Sequence, residues 1–353
     1  MRREPDFKRL RTVLFCEQPD RVPLCELIVD HEIKEGLLGK WFEPLKDLGD
    51  EVDFWVKAGY DYIPFFFAGY NFLGMSTRSP WAEERKGVIT NLEEFENYPW
   101  YVAEENDYSI LQRMAEDLPS SMKLISGTAG IFERVWQLMG FKTFCIKLQT
   151  DPELIEKMFK KIGSVIFDVY DELSKHSIIG GLWISDDIAY NSGPMISPRV
   201  YRKLLFPWWE AIADLCQEHD IPLLLHSDGN LYSMVEDLIK IGVNALHPIQ
   251  PEAMDLRYLK EKYGNRLCLI GNIEVDKLSR GTPGEIRELV KNRIRIAAKG
   301  GGYCLGSSNT ITNYVKLENY NAMREACFEF GKYPLAHRSQ RTSRIGHSPK
   351  DPP

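Results

Sequence analysis

Residues 223 to 230 read LLLHSDGN, an apolar run that ends abruptly in polar side chains. This pattern is typical of a buried strand that leads into a loop. His226 and Asp228 stand two positions apart, so they face the same way if the strand geometry continues. Such a pair can ligate a metal ion or form a histidine–carboxylate hydrogen bond without one, and the sequence leaves both interpretations open.

Two adjacent acids, Asp186 and Asp187, follow another apolar run at 181–185. Neighbouring residues in a strand point to opposite faces, so at most one of them enters a shared site while the strand lasts. Two carboxylates that lie close together raise each other's pKa or need a cation or a donor between them. The alternative is structural, because an Asp just before a helix is more often a cap than a catalyst.

The elements that must position these residues are short apolar runs that alternate with amphipathic stretches. Several runs are apolar at consecutive positions, which is typical of parallel strands covered on both faces. Strands are predicted over 22–29, 60–67, 122–129, 181–186, 221–226, 243–249, 266–271 and 301–308, and helices over 152–176, 197–219, 231–242 and 282–300. This order predicts an α/β fold, a (β/α)8 barrel of the TIM type. An open doubly wound sheet is the alternative, and the absence of GxGxxG after the first strand disfavours its dinucleotide-binding form.

Composition excludes several function classes. The 353 residues have a net charge of −7, which argues against broad binding to nucleic acid or to an acidic membrane surface. The seven cysteines form no CxxC pair, and the charged start MRREPDFKRLRTVLF is unlike a signal peptide, so we expect free thiols and a cytoplasmic location. We expect one domain over 1–336 and a loosely ordered polar tail over 337–353.

Functional side chains of such a barrel lie at the carboxyl ends of its strands. Polar residues near the predicted strand ends are therefore the candidates, namely Glu26, Asp61, Tyr70, Asn71, Asp186, Asp187, Tyr190, His226, Asp228, Asn272 and Asn309. Three further residues have a structural interpretation: Glu133 as a solvated helix residue, His247 as a packed histidine and Cys304 as a buried inert thiol.

Four stretches in order, GLWISDDIAYNSGPMISPRVYRKLLFPWWEAI, LLLHSDGN, LIGNIEVDKLSRG and GSSNTITNYVKLENYNAM, resemble the uroporphyrinogen decarboxylase superfamily. RVPL near the start and GTAGIFERVW fit as well, and the resemblance spans residues 5 to 335. It implies a distorted (β/α)8 barrel with a deep cleft at the strand ends, often in a homodimer.

The decarboxylases of this superfamily act on a polycarboxylate tetrapyrrole, which they grip with two arginines in the first loop. The matching stretch here, VPLCELIVDHEI, has no arginine and carries Glu26, Asp30 and Glu32. The substrate would therefore meet acids where it needs guanidinium groups. Asp61 resembles the central aspartate of the decarboxylases, but Asn309 stands where they carry a histidine.

The other branch moves methyl groups between a small substrate or thiol and a corrinoid carried by a separate protein. One subgroup binds zinc through His-x-Cys and a later cysteine. This chain keeps His226, but Asp228 and Asn309 stand at the two cysteine positions. The resemblance thus implies a methyltransferase for methoxylated aromatics or similar donors, with corrinoid (cobalamin) on a partner protein and zinc as a candidate metal.

Transfer from oxygen needs a proton or a Lewis acid on the leaving oxygen. We therefore assign catalytic roles to His226, Asp187 and Glu26, and metal ligation to His226 and Asp228. Substrate-binding roles go to Asp61, Tyr70, Asn71, Asp186, Tyr190, Asn272 and Asn309. A tetrapyrrole decarboxylase and a non-catalytic binding barrel are the alternatives to a corrinoid-linked methyltransferase.

Overall fold

A computed structural model describes residues 4–41, 48–67 and 87–335 of the chain. Within these residues the strands are β1 (Ile63–Phe66), β2 (Leu124–Ala129), β3 (Ile179–Ser185), β4 (Ala189–Tyr190), β5 (Gly193–Pro194), β6 (Leu223–His226), β7 (Ala245–His247), β8 (Cys268–Ile273) and β9 (Tyr303–Ser307). Seven of them form one curled parallel sheet in the order β1-β2-β3-β6-β7-β8-β9, and β4 and β5 form a separate antiparallel hairpin. The predicted α/β fold with parallel strands is confirmed.

Helices connect the strands and cover the outside of the sheet. Their bounds are α1 (Phe7–Leu14), α2 (His31–Leu38), α3 (Leu48–Ala58), α4 (Leu92–Glu96), α5 (Ser109–Asp117), α6 (Ile131–Met139), α7 (Phe141–Thr150), α8 (Pro152–Ser174), α9 (Pro198–Leu204), α10 (Phe206–Glu218), α11 (Val235–Ile241), α12 (Leu256–Tyr263), α13 (Val275–Arg280), α14 (Pro283–Ala297) and α15 (Leu317–Phe330). The residues described include no helix both long and apolar enough to cross a bilayer.

The sheet is the centre of the hydrophobic core. Leu223, Leu224 and Leu225 of β6 are all fully buried, although successive side chains of a strand point to opposite faces. Both faces of the strand are therefore covered, which explains why the run is apolar at consecutive positions.

The predicted first strand, 22–29, differs from expectation. It is not a regular strand but extended chain that meets the last strand region through isolated parallel bridges, Leu24 to Leu305 and Val29 to Ile311. Towards β1, the Glu26 N–H donates to the Tyr62 hydroxyl (3.0 Å), and that hydroxyl donates to the Glu26 carbonyl (2.6 Å). Residues 22–29 thus form a seam between β9 and β1, where the Tyr62 side chain replaces a backbone ladder. The curled sheet therefore has seven strands instead of the eight predicted.

The helix predicted over 197–219 is two helices, α9 and α10. Pro207 lies in the first turn of α10, where its missing N–H is tolerated, but the same residue would remove a hydrogen bond from an uninterrupted helix. The proposed domain boundary at residue 336 and the loose tail stay predictions, because 336–353 lie outside the described residues.

Candidate functional site

Polar groups from several strand ends meet at the carboxyl edge of the sheet. His226 ends β6, Asp228 lies in the loop beyond it, and Asp187 follows β3. One ligand atom from each residue lies within 4.8 Å of the others. The His226 Nε2 is 3.7 Å from the Asp187 Oδ1, and the Asp228 N–H donates to that same oxygen at 2.7 Å. Sheet register therefore brings together three residues that stand up to 41 positions apart.

Asp228 has one satisfied and one unsatisfied oxygen. The Asn309 side-chain amide donates to Oδ2 at 2.6 Å, whereas Oδ1 is buried with no hydrogen-bond partner among the described residues. Burial raises the pKa of Asp228 to about 6; His226 opposes this rise and Asp187 adds to it. The next residue is also fixed, because the Gly229 N–H donates to the Gln250 Oε1 at 2.6 Å.

His226 contacts a second histidine on the neighbouring strand. His226 and His247 are register partners in the parallel pairing of β6 with β7, and their Nδ1 atoms lie 2.9 Å apart. His247 is completely buried, and this desolvation holds its pKa well below the usual value. The Nδ1 of His226 is thereby engaged, and its Nε2 faces the carboxylates.

A divalent cation fits this arrangement. An imidazole nitrogen and two carboxylate oxygens are a donor set that zinc accepts in proteins. The unpartnered, buried Oδ1 of Asp228 is the atom that a cation would satisfy. The residues that would hold the ion are His226, Asp187 and Asp228, which adds Asp187 to the two predicted ligands.

A cavity of about 530 Å³ opens beside this cluster. Its wall combines three rings, Trp136, Phe141 and Tyr190, with three acids, Glu133, Asp187 and Asp228. Burial, together with the negative charges of Asp186 and Asp187, raises the pKa of Glu133 to about 8. An aromatic wall with a few convergent polar groups is the usual composition of a small-molecule site.

Asp186 has a structural partner instead. Its carboxylate accepts from the Phe132 and Glu133 N–H groups, both at 2.9 Å, at the start of α6. Gly130 precedes this helix and has no side chain to cap it, and a Cβ there would lie 2.3 Å from the Asp186 Oδ1. A carboxylate from the next strand therefore caps α6 and fixes the first turn, which carries Glu133.

Comparison with known proteins assigns the chain to a family. The family model described as Uroporphyrinogen decarboxylase (URO-D) matches residues 88–330. The chain belongs to this family. Methylcobamide:CoM methyltransferase MtbA from Methanosarcina acetivorans is 24% identical over 212 residues, which cover 58% of the chain and 60% of MtbA. The chain thus spans less than two thirds of that curated relative.

A solved structure is similar to the chain in fold. The methyltransferase from Methanosarcina mazei matches with a TM-score of 0.68 and 18% identity, and the match covers 93% of this chain and 99% of that chain. At this identity the likeness establishes the fold alone.

Several predicted site residues of this URO-D family member lie elsewhere. Asp61 precedes β1, at the amino edge of the sheet, and accepts from Arg9 (2.6 Å) and Arg21 (3.0 Å). Asn272 is buried in β8, where its side-chain amide donates to the Ile249 carbonyl at 2.6 Å. The structure does not bring either residue to the cavity.

Glu26 is also separate from the cavity wall. It is fully buried at the seam, and its carboxylate accepts from the N–H and the hydroxyl of Ser307, both at 2.6 Å. Burial raises its pKa to about 8, although these hydrogen bonds lower it. Tyr70 and Asn71 lie outside the described residues.

Sequence reasoning underrated three residues of the site. Glu133 and Gln250 line the cavity, and His247 contacts His226. The sequence could have identified all three, because each follows or ends an apolar run, as do the residues that were predicted for the site. Cys304 agrees with its structural interpretation, since its thiol is buried 4.0 Å from that of Cys268.

Proposed function

We propose that this chain is a methyltransferase that transfers a methyl group from a small methylated substrate, foremost a methoxylated aromatic, to a corrinoid carried by a partner protein. Membership of the URO-D family and similarity to MtbA, whose name includes a methylated cobamide, support methyl transfer. The observation that carries the proposal is the cluster of His226, Asp187 and Asp228 beside an aromatic cavity. A cytoplasmic location and a homodimer stay predictions.

The cleavage of a methyl ether defines what the site must do. The electron pair of the carbon–oxygen bond remains on oxygen, and this oxygen leaves poorly unless a proton or a Lewis acid stabilises it. A corrinoid on a partner protein would supply the cobalt nucleophile for the methyl group, and a divalent ion on His226, Asp187 and Asp228 would supply the Lewis acid.

The chain's own residues then orient the substrate and control protons. Trp136, Phe141 and Tyr190 pack against an aromatic ring, which excludes water from the ether. Glu133 holds a proton at neutral pH because burial raises its pKa to about 8, so it can donate to a leaving oxygen. Asn309 and Gln250 keep the loop after β6 in place through Asp228 and Gly229.

The two alternatives are less favoured. A tetrapyrrole with many carboxylates would meet the carboxylates of Asp187 and Asp228 in the cavity, and like charges repel. A non-catalytic barrel would pair its polar groups with one another, yet the buried Asp228 Oδ1 has no partner among the residues described.

The test is methyl transfer from methoxyarenes to cob(I)alamin, followed by the change in the corrinoid absorption spectrum, with and without zinc. We expect transfer by the wild type and a loss of about 100-fold or more in His226→Ala and Asp228→Asn. Asp276→Asn, at an exposed surface ion pair with Arg280, is the control and should retain the activity. No transfer from any methoxyarene or methylamine in the presence of zinc would contradict the proposal.

A further inference from the structure

The contact between His226 and His247 determines more than packing. Two neutral imidazoles with Nδ1 atoms 2.9 Å apart share one hydrogen, so one ring donates and the other accepts. The donor ring then has an unprotonated Nε2, and the acceptor ring has a protonated Nε2. The direction of this one hydrogen bond therefore sets whether His226 can ligate a cation.

The distances favour donation by His226. If His247 donated, His226 would carry its proton on Nε2, yet Asp187 Oδ1 is 3.7 Å away, beyond hydrogen-bond reach. The same spacing suits two ligands of one ion, since atoms about 2.1 Å from a tetrahedral zinc lie roughly 3.4 Å apart. His247 Nε2 is buried without a hydrogen-bond partner among the described residues in either case, so it does not decide the direction.

The surroundings hold His247 in place as the acceptor. Its ring packs perpendicular to the fully buried Trp183, with ring centres 5.3 Å apart. Its backbone carbonyl accepts from the Ser227 N–H at 3.0 Å, within the pairing of β6 with β7. Ring packing and strand pairing thus fix the position of the His247 Nδ1, the acceptor nitrogen.

We propose that His247 is a positioning residue that accepts a hydrogen bond from the His226 Nδ1 and so leaves the His226 Nε2 lone pair free for a cation that Asp187 and Asp228 would share. The consequence for metal binding rests on the proposed function. The tautomer itself does not, because it is argued from the histidine pair and from the 3.7 Å between the His226 Nε2 and the Asp187 Oδ1. Outer hydrogen bonds of this kind orient metal-binding histidines, and their loss commonly weakens metal affinity 10–100-fold.

The chain allows a matched pair of variants. Asn and Leu are close in shape, but only the Asn side-chain oxygen can accept from the His226 Nδ1. We expect His247→Leu to bind zinc about 10–100-fold more weakly than the wild type in a chelator competition, and His247→Asn to recover most of this loss. Equal affinity of His247→Leu and the wild type would overturn the proposal.

A second measurement needs neither metal nor turnover. Nitrogen-15 NMR of histidine-labelled, metal-free protein distinguishes protonated from unprotonated ring nitrogens, and His226→Gln identifies the signals of residue 226. At about pH 8 we expect the ring hydrogen of His226 on Nδ1. Protonation at Nε2 would overturn the inference even if methyl transfer were observed. Protonation at Nδ1 without zinc binding would support the tautomer and count against the proposed function.

Discussion

Asp186 and Asp187 are neighbours in the chain but have different surroundings. Asp186 is fully buried and accepts from two N–H groups of α6, whereas Asp187 lines the cavity and faces His226. Burial raises the pKa of Asp186 to about 7, and the two helix N–H groups oppose this rise. One carboxylate therefore supports the helix, and the other belongs to the site.

This difference predicts that an Asp→Asn substitution lowers the stability at residue 186 but weakens zinc binding at residue 187. Asp186→Asn replaces one acceptor oxygen by an NH₂ group that faces a helix N–H, so we expect the free energy of unfolding to fall by about 1–3 kcal/mol. Asp187→Asn keeps an oxygen for the Asp228 N–H, so we expect a change within about 0.5 kcal/mol but weaker zinc binding. Urea unfolding and zinc titration of both variants measure this. Equal losses of stability would contradict the assignment of roles.

At the scale of elements, the β4–β5 hairpin holds the loop after β6. The Asn230 N–H donates to the Tyr190 carbonyl at 2.9 Å, and the Ile188 N–H donates to the Ser227 Oγ at 3.1 Å. Between these contacts Gly229 adopts φ +90°, and a Cβ there would lie 2.5 Å from the Ala189 carbonyl oxygen. Glycine is thus required for the close approach that positions Asp228.

Gly229→Ala should therefore separate the hairpin from the loop and weaken zinc binding about 10-fold or more, as disturbed outer contacts of metal sites do. Gly193→Ala is the control, because Gly193 also has a positive φ (+141°) but has open space where the Cβ would lie. Both variants carry backbone strain, so only the clash distinguishes them. Similar zinc affinities of the two variants would show that the hairpin contact does not position the ligands.

Elements were easier to predict from sequence than the partners of single residues. Seven of the eight predicted strands are confirmed, because buried parallel strands need continuous apolar runs such as LLL before His226. The run at 22–29 has the same apolar character, but its pairing depends on Tyr62 across the seam. Asp61 and Asp186 are acids beside strands like Asp187, and only the tertiary structure gives them Arg9 and a helix terminus as partners.

In the molecule as a whole, the two edges of the sheet carry different kinds of polar residues. The amino edge contains the ion pairs of Asp61 with Arg9 and Arg21, which attach the N-terminal residues to the sheet. The carboxyl edge contains the histidine–carboxylate cluster and the cavity. This division agrees with the general separation of stability and chemistry between the two ends of (β/α)8 barrels.

The seam at residues 22–29 should make stability depend on pH. Glu26 is fully buried there against Ser307, and its pKa rises from an ordinary value of 4.5 to about 8. Between these values the folded chain keeps a proton that the unfolded chain releases. The free energy of unfolding must therefore fall as the pH rises through this window, and the contribution is complete only below pH 4.5.

Glu26→Gln removes this titration and keeps the size of the side chain. Because one pKa unit corresponds to about 1.4 kcal/mol, we expect the wild type to lose at least about 1.4 kcal/mol more stability than the variant over this pH window. Urea unfolding at several pH values measures the difference, and the exposed substitution Glu261→Gln should follow the wild type. Parallel curves for the wild type and Glu26→Gln would mean that Glu26 is ionised in the fold. The position of residues 22–29 against β9 would then depend on a buried carboxylate that accepts both hydrogen bonds of Ser307.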